Sequence, residues 1–126
     1  MTFRQFEEID AWQTARSLAR STYRVSQNPK FHQDFGLRDQ IRRAAVSIMA
    51  NIAEGSSCRS DKEFARYLIT ARASTAEVQS HLYVALDEGY IGQDEFNQLY
   101  LLAQKCSKQL GRLISYLLGQ SIRSSA

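Results

Sequence analysis

Proline occurs once in the 126 residues, at Pro29, and the six glycines fall mostly between apolar-periodic segments rather than inside them. Long uninterrupted helices are therefore permitted, with ends readable at those few breakers. Cysteine occurs twice, at Cys58 and Cys106. Two are too few for a disulfide framework, and their contexts differ, one a polar loop and one an apolar stripe, so free thiols are expected. No apolar run approaches the ~18 residues that would span a bilayer. The opening "MTFRQFEEIDAW" lacks the basic start and apolar stretch of a secretory signal. The expectation is a cytoplasmic protein with no membrane association.

Catalytic signatures are missing as well. There is no Gly-x-Ser-x-Gly elbow, His-Glu-x-x-His, phosphate loop or Cys-x-x-Cys. Bundles that hold two iron ions use Glu-x-x-His pairs from two helices, whereas this chain has Glu77 and His81 at a four-residue step with no counterpart, and His32 lies in a connector. Cys58 stands beside Arg59 without a placed histidine base. The expectations are accordingly no enzyme, no metal and no cofactor.

What is present is ordinary globular composition, 44% hydrophobic and 23% charged, at a length that suits one domain over residues 1–126. The periodicity predicts four helices, at about 8–27, 34–55, 60–88 and 93–118, with 119–126 as a flexible tail. The first ends before Asn28-Pro29, because a residue preceding proline avoids the α region, and "NPKFHQ" reads as a connector. Asp34 suits the start of the second, and Gly55 suits a left-handed cap at its end. Ser60-Asp61-Lys62-Glu63 has capping-box spacing, and Gly89 with Tyr90 closes the third helix. Asp94 and Glu95 stand in the first turn of the fourth, where the helix dipole favours negative charge.

Apolar side chains recur at three- and four-residue steps on each helix, for example Phe64, Leu68, Ala71, Val78, Leu82 and Ala85 on the third. Short connectors make neighbours antiparallel, so the fold class is all-α, an up-down-up-down four-helix bundle. A further line of Ala65, Ile69, Ala76 and Tyr83 exceeds what one core face needs, and Trp12 and Tyr23 flank Arg16 on the first helix. Small residues, aromatics and arginine suit an interface, so these six are the candidate contacts of a homo-oligomer.

The formal charge is only +3, from 16 basic and 13 acidic residues. Its distribution is more telling. Arg16, Arg20 and Arg24 follow at four-residue steps with no acidic partner four positions away, and like charges so spaced repel by a few tenths of a kcal/mol per pair. Phosphates, or acidic residues of an adjacent helix or subunit, would offset that. With Arg38, Arg42, Arg59, Lys62 and Arg66 they form the candidate surface for RNA or DNA, gripped through phosphates without base reading. In "QIRRAAVSIMANIAEG" the wheel puts Ile41, Ala44, Ile48 and Ile52 toward the core. Arg43 and Glu54 lie on another side, and Asn51 sits at the border. Arg43, Asn51, Glu54 and Gly55 are assigned structural polar or terminating roles. Asn51 is expected to bond a neighbouring helix terminus or the loop leading to Ser60, since an unsatisfied buried amide costs about 1–3 kcal/mol.

"AWQTAR", "LRDQIRRAAVSIMANIAEGSSCRSDKEFARYLITARASTAEVQSHLYVA" and "GYI" resemble the bacterial four-helix bundle family found in intervening sequences of large-subunit ribosomal RNA genes. The resemblance covers about Phe6 to Leu118, and Asn51 to Gly55 with the preceding arginines is its most specific part. It implies a homopentamer, five bundles around a central channel. The family is also similar to the accessory variability proteins of diversity-generating retroelements, pentamers that bind a reverse transcriptase and nucleic acid. Two departures stand out: Met49 replaces a usual proline, and Ala73 a usual glycine. The expected function is a non-enzymatic oligomeric scaffold for a partner protein such as a reverse transcriptase and for RNA or DNA. The alternative is an oligomer whose channel or pocket holds a small molecule.

Overall fold

A computed structural model describes residues 5–125, with side chains through Gly119. Among the described residues there are five α-helices, a short 3-10 turn at Phe6–Glu8 and no strand. The helices are α1 (Asp10–Val25), α2 (Pro29–Gln33), α3 (Phe35–Ser56), α4 (Asp61–Asp87) and α5 (Gln93–Ser125). Helix α1 begins two residues later than the apolar pattern suggests, because Phe6–Glu8 forms its own tight turn. It stops at Val25, where the backbone of Asn28 turns extended (ψ 135°) ahead of Pro29.

The stretch expected to be a connector holds an additional short helix, α2. Pro29 occupies the first turn of α2, where its missing N–H leaves no bond unmade, and Phe31 is fully buried. Five residues are too few to show a helical period, which is why the pattern does not reveal it.

Two starts and one stop follow the sequence closely. The Asp34 carboxylate accepts from the Leu37 N–H at 3.1 Å, and the Ser60 hydroxyl accepts from the Glu63 N–H at 3.1 Å. Past α4, Gly89 takes φ +71°. The Tyr90 N–H then donates to the Ala85 carbonyl at 2.9 Å and the Gly89 N–H to Leu86 at 3.0 Å, the paired bonds of a glycine C-cap. The stop at Gly55 is a correction. Helix α3 runs through Gly55 to Ser56 without a left-handed residue, and position 55 is a contact point between helices instead. A Cβ there would lie 2.8 Å from Phe64 Cδ1 and 2.9 Å from Tyr67 Cβ. Helix α5 likewise continues to Ser125 rather than ending at Leu118, and of the expected tail Ala126 lies outside the described residues.

Helix α3 lies against α4, α4 against α5, and α1 against both α3 and α5. The expected stripes all face inward: Ile41, Ile48 and Ile52 of α3, Leu68, Val78 and Leu82 of α4, and Leu99, Leu110 and Leu117 of α5 are almost completely sealed. Each such side chain contributes about 1.5–3 kcal/mol relative to exposure. The alanines of α1 let it sit close, with Ala15 and Leu18 fully buried. No helix among the described residues is long and apolar enough to cross a membrane.

Candidate functional site

Because 3.6 residues make a turn, Arg16, Arg20 and Arg24 rise along one face of α1 at steps of about 6 Å. That face borders α3, and the three arginines line a groove of about 430 Å³ with Tyr23, Gln27 and Met49. Its floor is apolar, from Ala19 and Met49, and its lining carries no carboxylate. Among the described residues none of the three arginines forms an ion pair. Arg24 donates to Ser21 Oγ at 3.2 Å, and Arg16 lies 5.9 Å from the centre of the Trp12 ring.

Helix α3 adds a fourth cation. Arg42 Nε donates to Ser26 Oγ at 2.7 Å, which places the guanidinium 4.6 Å over the Tyr23 ring. One turn earlier Arg38 lies 4.9 Å over Phe35, held by Asp39 at 2.9 Å and by the His32 carbonyl at 3.2 Å. Both rings stay open to solvent, Tyr23 at 42% and Phe35 at 64%. Two nearby carboxylates are engaged: Asp39 by Arg38, and Asp34 by the Leu37 N–H and by the Tyr90 hydroxyl at 2.9 Å. That last bond raises the Tyr90 phenol above its ordinary value.

The eight candidate cations therefore divide. Arg16, Arg20, Arg24 and Arg42 meet around the α1–α3 groove, with Arg38 adjoining. Arg59, Lys62 and Arg66 belong to the turn into α4 and its first two turns, on the other side of α3. There Arg66 lines a second groove of about 460 Å³ with Asn51, Cys58, Glu63, Tyr67 and Thr70. Phe35 escaped the sequence reading because a single aromatic at a helix start has no period. A missed basic group lies on α5, where Lys105, Lys108 and Arg112 share a groove with Leu101 and Gln109. The signal was available: from Phe96 to Ala126 the chain has no acidic residue.

Of the six side chains expected to face other copies, the bundle itself buries Trp12 and Ala65. Trp12 packs edge-on against Phe6 at 5.0 Å. Ile69, Ala76, Tyr83 and Tyr23 are exposed, although Tyr83 also meets Phe96 at 4.9 Å and Tyr100 at 5.8 Å. Asn51 is satisfied inside its own helix, donating to the Ser47 carbonyl at 2.8 Å and to Ser47 Oγ at 3.1 Å. This corrects the expected partner at another helix end. Ser47 in turn accepts from Ser74 of α4 at 3.2 Å, so the amide belongs to a polar seam between α3 and α4. Arg43 lines a groove with Ser47, Ser74, Glu77 and His81, and Glu54 is exposed. Cys58 and Cys106 are both free thiols. Cys106 is buried and held up to about 12 by that burial, while Cys58 is half-buried at the second groove.

Taken together, fold and surface define a class: an all-helical bundle with a cation-lined, aromatic-edged cleft between two of its helices. The profile of the 23S rRNA-intervening sequence protein family matches residues 7–112, and the chain belongs to that family. Among solved structures the chain is similar to a protein of unknown function from the S23 ribosomal protein family of Bacteroides thetaiotaomicron. The two are 22% identical, with a TM-score of 0.76 over 82% of this chain and 97% of that one, a likeness of fold. Among curated proteins no relative matches.

Proposed function

We propose that this chain is a non-enzymatic scaffold whose four long helices form an up-down-up-down bundle, and that it assembles as a homo-oligomer, a pentamer by resemblance, in the cytoplasm. It binds RNA or DNA through phosphates and docks a protein partner such as a reverse transcriptase. The observation that carries the nucleic-acid part is the α1–α3 groove, where Arg16, Arg20 and Arg24 line one wall with no carboxylate among the lining residues. Three like charges at one-turn spacing repel one another, and a row of phosphates relieves that repulsion while releasing counterions. A filter-binding assay tests it. Labelled RNA is retained at about 50 mM salt, and with four phosphate contacts the affinity falls roughly 50-fold by about 200 mM. Replacing Arg16, Arg20 and Arg24 together by Gln removes most of the retention. Absence of retention by the unaltered protein at low salt overturns the proposal.

A second reading, a small molecule held by the oligomer, is favoured by the groove between α3 and α4, where Asn51, Glu63 and Arg66 converge around about 460 Å³. Thermal shifts with a metabolite panel, on protein that retains no nucleic acid, would support it.

A further inference from the structure

We infer that the α1–α3 cleft takes single-stranded rather than duplex nucleic acid, with bases laid against Tyr23 and Phe35 and phosphates along the arginines of α1. This deepens the reading above and rests on it. Tyr23 lines the cleft under Arg42, and the Phe35 ring adjoins it under Arg38, one turn or about 6 Å earlier on α3. Both guanidinium groups are anchored from behind, Arg42 by Ser26 Oγ at 2.7 Å and Arg38 by Asp39 at 2.9 Å, so the rings they cover are held in place. Yet neither ring is sealed: Tyr23 is 42% exposed and Phe35 64%. A ring left that open under a guanidinium is a poor device for stability and a suitable one for stacking.

The lining also separates two kinds of polyanion. A duplex offers phosphates and keeps its base faces stacked inside, so it can engage Arg16, Arg20 and Arg24 but leaves Tyr23, the adjoining Phe35 and the apolar floor of Ala19 and Met49 unused. A single strand presents phosphates and free base faces together, and a basic groove interleaved with aromatics is the general solution for holding one. An acidic peptide would satisfy the arginines alone. Stacking is indifferent to base identity, so the cleft reads strandedness rather than sequence.

The test uses the full chain and fluorescence anisotropy at about 100 mM salt. Its probes are an oligothymidylate of roughly twelve nucleotides, within the usual footprint of such grooves, and a duplex of the same length. The expected result is single-strand binding at least about ten-fold tighter than duplex binding. Tyr23→Ala and Phe35→Ala each weaken the single strand about ten-fold and change duplex binding by less than about two-fold. Tyr23→Phe retains a ring and restores binding. Arg20→Gln weakens both probes, and because all these side chains are exposed, unchanged helical circular dichroism verifies the fold of each variant. Equal affinity for the two probes, or equal loss for both in Tyr23→Ala, overturns single-strand selection while leaving phosphate binding intact. No binding of either probe overturns both readings, and polyglutamate binding under those conditions would assign the cleft to an acidic protein partner.

Discussion

A methyl group at position 55 has no room. The Cβ of Gly55→Ala would meet ring and backbone-proximal atoms of Phe64 and Tyr67 below 3.0 Å, so α3 and α4 must separate or both side chains must shift. Overpacking of this kind costs about 1–3 kcal/mol. Gly36 lies in the first turn of the same helix, where an added Cβ meets only Asp34 Oδ1 at 3.9 Å. Gly36→Ala is expected to stabilise by about 0.4–1 kcal/mol, because alanine restricts the unfolded chain. Urea titrations of the two variants should move in opposite directions. The sequence shows both glycines but not this difference. Whether a glycine ends a helix or admits a neighbour depends on what the other helix brings, and Phe64 and Tyr67 come from beyond the intervening loop.

Cys106 permits a second test at the same scale. Its thiol sits in the core against the Ala11 carbonyl at 3.6 Å, and burial raises it from 9.0 to about 12. Below pH 9 the thiol is protonated whether the chain is folded or not. Between about 9 and 12 the unfolded chain releases the proton and the folded chain keeps it, so stability falls as pH rises by about 1.4 kcal/mol per unit from this group. Cys106→Ala is expected to reduce the loss between about pH 8.5 and 10.5 by roughly 2 kcal/mol, read from urea midpoints. Under native conditions a thiol reagent should modify Cys58 alone, and both cysteines once the chain is denatured.

At the scale of elements, the long helices are legible because their stripes repeat over four or more turns and, at the start and end of α4, the caps carry chemistry of fixed spacing, Ser60 with Glu63 and Gly89 with Tyr90. Helix α2 is not, because what makes it is remote. Phe31 stacks on Tyr90 at 5.5 Å, Asn28 donates to the Tyr90 carbonyl at 3.1 Å, and the Tyr90 hydroxyl reaches Asp34. The chain after α4 thus fastens the connector between α1 and α3, and the connector sets the angle at which Phe35 and Arg38 leave it. Phe31→Ala removes a fully buried ring, with an expected cost of about 3–5 kcal/mol. Hydrogen exchange should localise part of the damage, with the His32 amide, bonded to the Asn28 carbonyl at 2.8 Å, losing protection first.

At the scale of the whole molecule, α4 keeps an apolar line on its outer face. Ile69 is 51% exposed and Ala76 is exposed one heptad on, a spacing that keeps both on one face, while the neighbouring Val84 is 44% exposed. Tyr83 continues the line but is partly held by Phe96 and Tyr100 within its own chain, so it is the poorer probe. Ile69 and Ala76 make no comparable demand on the bundle, and charges placed there disturb an assembly without disturbing the fold. Light scattering at micromolar concentration is expected to return a multiple of the 14.4 kDa chain, about five-fold if the family resemblance carries its assembly. Ile69→Lys with Ala76→Glu is then expected to lower that mass while leaving the helical circular dichroism of each chain unchanged, and to lower the urea midpoint only by the stabilisation that association supplied. A mass of one chain for the unaltered protein ends the oligomer proposal. A multimer that survives the double change moves the interface elsewhere, with Val46 of α3 and Leu101 of α5, exposed at 43% and 61%, as the next faces to charge.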